Sequence, residues 1–583
     1  MKFNKLAQLF SELESTPKRL EMIDILSVFF RKIKETGEFK DLNSIIYLLQ
    51  GQLVPNIKQF PKMGLAEKMI IEALSVHSGI ENKKIREVLV KQGDIGATAE
   101  FILSRKKKQK SLFDYDEKDS ATSLELSDLY SELKKIALTE GTGSHDIKLG
   151  ILRGLMRKGS PLEIKYLFRI ITSTLRVGVQ SPTIIEGLAL AFTGSRDNKE
   201  FIERAYSLHP DLGEISIILA ERGLEKVQLI DIEYGTPILS MLASRDNYTE
   251  FVNRLGTPFI AEYKLDGERL QIHKNGDKII LFSRRLLDIS KQYPDVCAVI
   301  RENIKAKNVI LEGEVVAMDH VYEKMLPFQV LSKRRRKYDV KDISKEVPVC
   351  LYVFDLLKYE EKSFVDKILP IRRKKLEEII SEKDELRLVK SVIINSTDEL
   401  VEFFNKARSE GNEGIMAKSI QEDAIYQAGN RGFLWLKLKS LEGGKLKDSI
   451  DVVLVGAFYG KGRRTGVIGT YIGAVYDPET DKFIAFTRFF SGLTDELSES
   501  LTNDMEKYRV ERKPGNVICE DTPEIWFQAK VVMEITGDEI TISDKFATLG
   551  YSMRFPVFQR IRYEKSPKDI TTIEEIKELY DTQ

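Results

Sequence analysis

The run Phe259-Ile-Ala-Glu262-Tyr-Lys264-Leu-Asp266-Gly267-Glu-Arg269 decides how the rest of the chain is interpreted. Its alternation predicts a strand with Glu262, Lys264 and Asp266 on one face. A turn follows at Gly267, where the backbone bends without a Cβ penalty. A lysine between two carboxylates has two interpretations. It is a structural ion-pair ladder at a sheet edge, or a nucleophile that must present a free amine.

The composition describes a multidomain globular protein. A chain of 583 residues is too long for one hydrophobic core, and the prior is about two to four domains. The 90 basic and 90 acidic residues cancel, so a nucleic-acid site must come from local basic patches. The 31% of charged residues is compatible with heat adaptation but does not establish it.

The cysteines and the N-terminus indicate a compartment. Cys297, Cys350 and Cys519 lie far apart, which excludes a disulfide framework or a thiolate zinc site and suits a reducing cytosol. The N-terminal residues are charged, and the chain has no long uncharged apolar run. We therefore expect a cytoplasmic protein.

Residues 1 to about 235 predict an all-α region. Apolar residues recur at helical spacing in Phe3, Leu6, Phe10 and Leu13. Further helices are predicted at roughly 66–76, 84–92, 122–138, 161–175 and 182–192. Arg169 and Arg176 are expected on one side of a helix that runs to Gly178, which would suit phosphate contacts.

A basic segment within this region has two interpretations. Arg105 to Lys110 is rich in lysine, which is typical of a solvated linker. However, Gln109, Leu112, Phe113 and Tyr115 resemble a sliding-clamp-binding box. The full box ends in two adjacent aromatic residues, whereas Asp114 separates them here.

After Gly235-Thr-Pro237 the pattern changes to short strands, and we place a domain boundary there. Asn275-Gly276 predicts a hairpin that returns Arg284 toward the strand of Lys264. Arg269 and Arg284 would then be two cations near one amine. Guanidinium pairs of this kind bind phosphate or ribose oxygens.

Three later segments carry polar residues on predicted strands. Glu312 and Glu314 share one face of a buried strand, which is costly unless they meet a metal or a cation. Phe354 is either core packing or a surface on which a purine stacks. Glu413 and Lys418 flank a short strand, and Lys437 alternates with Trp435 on another. Lys333 to Lys337 reads as a solvated basic loop, which could touch a DNA backbone.

The ordered set Lys-x-Asp-Gly, Ser-Arg-Arg, Glu-Gly-Glu, Tyr-x-Phe-Asp, Glu-Gly-x-x-x-Lys and Trp-x-Lys-x-Lys resembles the motif series of covalent nucleotidyltransferases. The helical region, in Gly93–Glu100 and 163–179, also resembles the DNA-binding domain of archaeal and eukaryotic replicative ATP-dependent DNA ligases. This resemblance implies an all-α DNA-binding domain (1–235), an α+β nucleotidyltransferase or adenylation domain (236–441) and a C-terminal OB-fold β-barrel (442–583).

The resemblance also implies a role for each site residue. Lys264 would be adenylylated, Glu262 would contact the adenosine, and Phe354 would stack on adenine. The residues that would contact sugar and phosphate are Arg269, Arg284, Arg431 and Lys437, with Lys418 facing the phosphates. The residues nearest the Mg2+ ions would be Glu314 and Glu413, and Glu314 would also contact the nucleotide.

The C-terminal third predicts a β-rich module. Gly443-Gly444 marks a connector, and strands are predicted at 450–458, 469–476 and 483–490 with a basic glycine-rich loop at 460–466. That loop is not a P-loop, because the required glycine and Ser or Thr are absent. Near the end, Arg562 and Lys565 resemble the last ligase motif, with Glu564 in place of aspartate, and would orient the departing pyrophosphate.

The expected function is therefore an ATP-dependent DNA ligase, a monomer associated with the nucleoid, that seals nicked duplex DNA with ATP and Mg2+. An RNA ligase or capping enzyme shares the catalytic motifs, but the helical region and the Phe433 to Lys437 form favour DNA. A nonenzymatic DNA or clamp scaffold with an inactive pocket is the third alternative. The sequence leaves open whether ADP, GTP or dATP replaces ATP.

Overall fold

The computed structural model describes residues 1–105, 124–246, 248–335, 344–439, 449–460 and 467–582. The chain divides into two compact units, Met1–Lys439 and Ser440–Gln583. The predicted clamp box at Gln109–Tyr115 and the connector glycines Gly443 and Gly444 lie outside the described residues. Within those ranges, no helix has the length and apolar character needed to cross a membrane.

The first unit begins with the predicted all-α region, whose helices surround one hydrophobic core. They are α1 (Phe3–Glu14), α2 (Arg19–Thr36), α3 (Leu42–Leu49), α4 (Glu67–Ser78), α5 (Asn82–Gln92), α6 (Ile95–Arg105), α7 (Leu126–Leu138), α8 (Ser144–Lys158), α9 (Pro161–Ile171), α10 (Ser181–Thr193), α11 (Lys199–Leu208), α12 (Leu212–Arg222) and α13 (Leu224–Gln228). Ser160 caps α9 through a reciprocal capping box with Glu163, which fixes where that helix begins.

The predicted phosphate-facing arginines of this region are not on one helix face. Helix α9 ends at Ile171, and Arg176 lies beyond it with a positive φ of 59°. Arg169 is buried, and its guanidinium donates to Asp94 Oδ2 at 2.7 Å and to Glu14 Oε1 at 2.9 Å. The prediction of one shared helix face was wrong because α9 ends before Arg176, and carboxylates from distant segments bind Arg169 inside the domain.

The rest of the first unit is α+β, as predicted. Its strands are β1 (Leu242–Arg245), β2 (Phe259–Lys264), β3 (Glu268–Asn275), β4 (Lys278–Ser283), β5 (Asn308–Ala317), β6 (Val349–Tyr359), β7 (Lys362–Ser363), β8 (Leu386–Leu388), β9 (Ser391–Ile394), β10 (Gly414–Ser419) and β11 (Arg431–Lys439). Its helices are α14 (Tyr248–Leu255), α15 (Pro294–Asn303), α16 (Phe328–Ser332), α17 (Leu369–Ile379) and α18 (Thr397–Ser409).

These strands form two sheets. One has the order β1-β11-β10-β2-β9, and the other has the order β4-β3-β5-β6-β7 with β8 beside β6. The consecutive strands β2 and β3 therefore belong to different sheets, and the turn between them joins the two. The predicted hairpin at Asn275-Gly276 is confirmed as the antiparallel pair of β3 and β4.

One residue of the predicted basic loop at Lys333 to Lys337 is buried and ion-paired. Arg334 is buried, and its two terminal nitrogens donate to the two carboxylate oxygens of Asp295 at 2.8 and 2.7 Å. A short 3-10 helix covers Lys333–Arg335. The prediction of a solvated loop was wrong for Arg334, because a carboxylate from the start of α15 binds it.

The second unit is β-rich, in agreement with the predicted C-terminal module. Its elements are β12 (Ile450–Tyr459), β13 (Ile468–Asp477), β14 (Lys482–Phe489), β15 (Arg509–Val510), β16 (Val517–Ile518), β17 (Ile525–Phe527), β18 (Val532–Thr536), β19 (Glu539–Ile542), β20 (Tyr551–Arg554) and β21 (Val557–Ile561), with helices α19 (Asp495–Glu506) and α20 (Ile573–Thr582). Strand β12 pairs with β13, β17 and β18. Register shifts between β12 and β13 curl the sheet.

Candidate active site

The turn at Gly267 brings the two sheets of the first unit together. A Cβ at this position would lie 2.3 Å from the carbonyl oxygen of Val315 and 2.8 Å from Cγ of Glu314. Only glycine permits this close approach. The end of β2 that carries Lys264 is therefore held against β5, on which Glu314 lies.

Lys264 meets a carboxylate at this end of β2. Its ammonium nitrogen donates to Oε2 of Glu413, and the backbone N–H of Glu413 donates to the carbonyl of Lys264 at 2.9 Å. The two side chains are 19% and 27% exposed. The pair is therefore fixed in position but still accessible to a ligand from solvent.

A second carboxyl group completes this polar cluster. Burial raises the pKa of Glu314 to about 7; the charges of Lys264 and Arg269 oppose the rise, and those of Glu413 and Asp266 add to it. Two cations and two further carboxyl groups therefore lie within electrostatic reach of Glu314. Such a cluster suits a ligand that brings both phosphate charge and a divalent cation.

A second lysine–glutamate pair lies further along the same strands and is buried. Lys418 Nζ lies 2.6 Å from Glu262 Oε2, and the side chains are 1% and 3% exposed. Arg373 donates to the other oxygen of Glu262 at 3.1 Å. Lys418 also lies over the rings of Phe354 and Trp435, at 4.7 and 4.4 Å from their centroids.

Arg269 lies beside the same two rings, at 5.3 Å from the centroid of Phe354 and 5.6 Å from that of Trp435. Its Nη2 donates to Glu312 Oε2 at 2.6 Å, so the buried Glu312 has the cation that the sequence argument required. The buried atoms Glu312 Oε1 and Arg269 Nε have no hydrogen-bond partner among the described residues. Unpaired buried polar atoms are costly, so a polar ligand is expected here.

The remaining predicted residues lie around this centre. Phe354 is partly buried on β6, edge-on to Trp435 at 6.2 Å between ring centroids. Lys437 lies on β11 opposite Met416 of β10. Arg284 follows β4 and Arg431 begins β11; both are exposed, and within the described ranges neither forms an ion pair.

Lys418, which the resemblance assigns to the phosphate-facing group, is more buried than the other lysine of that pair of strands, Lys264. Lys418 is buried beside Glu262 and the aromatic rings, whereas Lys264 occupies the exposed end of the pair of strands. Lys418 therefore adjoins Glu262 and Phe354, the residues expected to contact the adenosine.

A group of possible metal ligands lies elsewhere, in the helical region. Ligand atoms of His209, Asp211 and Glu214 lie within 4.8 Å of one another. Asp211 is buried, accepts a hydrogen bond from Tyr47 at 2.6 Å and caps α12 through the N–H of Glu214 at 3.0 Å. These bonds give the cluster a structural explanation.

The last predicted motif is ion-paired within the second unit. Arg562 Nη1 lies 3.0 Å from Glu534 and 3.3 Å from Asp451, and Lys565 Nζ lies 2.5 Å from Asp451. Glu564, which replaces the usual aspartate, accepts from Arg562 at 2.6 Å. These carboxylates hold both cations in defined positions.

Sequence reasoning missed Arg373 and Tyr426. Arg373 belongs to a basic run on α17 that looks like a solvated helix face, yet it binds Glu262. Tyr426 belongs to no motif, yet its hydroxyl donates to Glu312 at 2.8 Å. No local signal separates either residue from ordinary surface or core residues.

Family models match three parts of the chain. A model described as ATP dependent DNA ligase domain matches residues 240–439, one described as DNA ligase N terminus matches residues 2–189, and one described as ATP dependent DNA ligase C terminal region matches residues 464–565. Together they extend over both compact units.

Curated relatives match over the full length. The chain is 41% identical to a DNA ligase of Sulfurisphaera tokodaii, covering 100% of this chain and 97% of the relative. It is also 41% identical to a DNA ligase of Sulfolobus acidocaldarius, covering 100% and 98%. A solved structure named Pmar-Lig_Pre. shares the fold with a TM-score of 0.58 at 18% identity, covering 96% of this chain and 99% of that one.

Proposed function

The chain belongs to the family of ATP-dependent DNA ligases of archaeal type, and on that premise we propose that Lys264 is the residue that carries AMP. The enzyme seals nicks in duplex DNA through a lysyl-AMP intermediate and 5′-adenylylated DNA, with release of AMP and diphosphate. DNA replication, repair and recombination all require this step. The observation that supports Lys264 is its partly exposed position against Glu413 and beside Glu314.

The first step forms one bond and breaks one. The free amine of Lys264 attacks the α-phosphorus of ATP, an N–P bond forms, and the bond to the pyrophosphate oxygen breaks. Glu413 touches the amine and is the nearest base for the proton that the amine loses. Its backbone bond to Lys264 keeps the two groups aligned during attack.

The next two steps pass AMP to DNA. The 5′-phosphate oxygen at the nick attacks the phosphorus of lysyl-AMP and displaces the amine of Lys264. The 3′-hydroxyl then attacks the 5′-phosphorus, and AMP leaves with the bonding electrons. The cations beside the site stabilise the charge that develops on phosphate oxygens in each step.

Magnesium fits the carboxyl groups of the cluster. Glu314 and Glu413 would hold it, because their mutual repulsion contributes to the raised pKa of Glu314 and carboxylate oxygens are the ligands that Mg2+ prefers. When bound, the ion neutralises triphosphate charge and assists the departure of pyrophosphate.

The nucleotide would bind along the two sheets. Phe354 stacks on the adenine, and Glu262 contacts the adenosine while Lys418 and Arg373 hold its carboxylate. Arg269 and Glu314 contact the sugar and its phosphate. The cations that would contact the triphosphate are Arg284, Arg431 and Lys437.

The partners follow from the same premise. Nicked double-stranded DNA is the substrate, and the protein acts as a monomer at the nucleoid. A sliding clamp would bind through Gln109–Tyr115. The proposed domains are 1–235 for DNA binding, 236–441 for adenylation and 442–583 for the OB-fold.

Two nicked duplexes test the role of Lys264. A Lys264→Ala variant should fail to seal a 5′-phosphorylated nick with ATP, because it cannot take up AMP. The same variant should still seal a nick whose 5′ end is already adenylylated, because that step does not use the lysine. Sealing of the first duplex would contradict the proposal. Failure on both would mean that Lys264 acts on a later step or on the fold.

A further inference from the structure

Tyr426 lies outside every recognised motif but makes two hydrogen bonds next to the proposed nucleotide site. It is buried in the segment between β10 and β11, with its ring edge-on to Trp435 at 5.9 Å between centroids. Its hydroxyl donates to Glu312 Oε2 at 2.8 Å and accepts from the backbone N–H of Met241 at 2.9 Å. The hydroxyl is therefore fixed at both its donor and its acceptor side.

Arg269 binds the same two partners. Its Nη2 donates to Glu312 Oε2 at 2.6 Å, and its Nη1 donates to the carbonyl of Met241 at 2.8 Å. Tyr426, Glu312, Arg269 and Met241 thus close a ring of hydrogen bonds. Among the described residues the other oxygen of Glu312 has no hydrogen-bond partner. The orientation of this carboxylate depends on the two donors at Oε2.

We propose that Tyr426 is a positioning residue for ATP binding, which orients the Arg269 guanidinium through Glu312. This inference rests on the proposed contact between Arg269 and the sugar and phosphate of ATP. Without the hydroxyl, the Glu312 carboxylate rotates more freely, and Arg269 loses its fixed place beside Phe354 and Trp435. Tyr426 does not touch the reacting atoms, so the effect falls on nucleotide binding.

The test is the KM for ATP in the adenylylation of the full-length enzyme. Tyr426→Phe removes only the hydroxyl, and we expect KM to rise about five- to tenfold, with kcat changed less than about twofold. Tyr234→Phe is the matched control, since the Tyr234 hydroxyl likewise donates one hydrogen bond, but to a backbone carbonyl, that of Glu360, at 2.6 Å. That variant should keep the KM of the wild type.

A second readout separates positioning from general stability. Sealing of a nick that is already adenylylated bypasses the binding of free ATP, so it should fall by a smaller factor in Tyr426→Phe than sealing at low ATP does. In a Glu312→Gln background, Tyr426→Phe should raise KM by less than about twofold more, because residues that act through one another are not additive. A lower melting temperature with an unchanged KM would overturn the inference, as would full additivity.

Arg269→Ala distinguishes failure of the inference from failure of its premise. If Arg269→Ala leaves the KM for ATP unchanged, the proposed contact of Arg269 is wrong, and the role of Tyr426 falls with it. If Arg269→Ala raises KM but Tyr426→Phe does not, the inference about Tyr426 alone is wrong. We expect both variants to raise KM, with the larger effect in Arg269→Ala.

Discussion

Two lysine–glutamate pairs connect β2 to β10 and its preceding residue, and they lie in opposite environments. Lys264 and Glu413 are 19% and 27% exposed, whereas Lys418 and Glu262 are 1% and 3% exposed. Strand β2 contributes Lys264 to one pair and Glu262 to the other, and both pairs join a lysine to a glutamate, so residue type does not distinguish them. Exposure does: an attacking amine must meet an incoming phosphate, and the Lys418 ammonium is enclosed whereas that of Lys264 is partly exposed.

The surroundings of the two pairs reinforce the difference. Arg373 and two aromatic rings enclose the buried pair, so its charges are held in one arrangement. The exposed pair adjoins Glu314, whose pKa burial raises to about 7. We propose that the buried pair fixes the site and the exposed pair reacts in it.

Lys264→Met removes the amine of the exposed pair. Of the variants considered, we expect it to lose the most activity. Adenylylation should fall at least about 10^4-fold, as expected for loss of a covalent nucleophile. The free energy of unfolding should change by less than about 1 kcal/mol, because partly exposed ion pairs contribute little. Rapid-quench assays with labelled ATP and urea unfolding measure the two quantities. A large loss of stability would contradict the assignment.

Lys418→Met applies the same substitution to the buried pair. We expect a loss of about 3 kcal/mol in the free energy of unfolding, because one charge of a buried pair is removed and Glu262 keeps only Arg373. Urea unfolding beside Lys264→Met gives a direct comparison of the two sites. Equal stability of the two variants would show that burial does not separate their roles.

The smallest expected effect concerns a third buried group, His273, and is measured as the pH dependence of the free energy of unfolding. Burial lowers the pKa of His273 from 6.5 to about 3, and His273 accepts from the N–H of Gly235 at 3.1 Å. Between these values the unfolded chain binds the proton and the native protein does not, so stability falls as the pH falls. We expect His273 to contribute a loss of about 1.5 kcal/mol between pH 6.5 and pH 5. The raised pKa of Glu314 acts in the opposite direction over this interval, so the contribution of His273 is measured as a difference from a variant.

The control for this titration is His273→Gln. The neutral amide does not titrate, so the free energy of unfolding of the wild type should fall by about 1.5 kcal/mol relative to that of the variant over the same interval. Urea unfolding of both proteins at the two pH values measures the difference. Parallel pH dependence would show that His273 is not the group responsible.

Local patterns were sufficient to predict the elements that carry the chemistry. The alternation around Lys264 and the glycine turn depend on neighbours in sequence, and both are present in β2 and at Gly267. The Asn275-Gly276 hairpin is equally local and is confirmed. The polar face of Glu312 and Glu314 follows from the two-residue period of β5.

Pairings between distant segments could not be predicted from one sequence. The local pattern around Arg169 favours a phosphate contact. Its carboxylate partners, Asp94 and Glu14, lie far away in the chain, so the pattern cannot reveal them. The burial of Lys418 depends on which strands flank β10, and Tyr426 reaches Glu312 across 114 positions. Charge and spacing show that these residues are polar but not which groups they meet.

The most direct test of the central claim is to locate the AMP. The full-length protein is incubated with ATP and Mg2+, weighed intact by mass spectrometry and then digested for peptide mapping. We predict a gain of one AMP on the peptide that contains Lys264, and no gain in Lys264→Ala. AMP on the peptide that contains Lys418, or a gain that persists in Lys264→Ala, would contradict the division between an exposed reactive pair and a buried structural one.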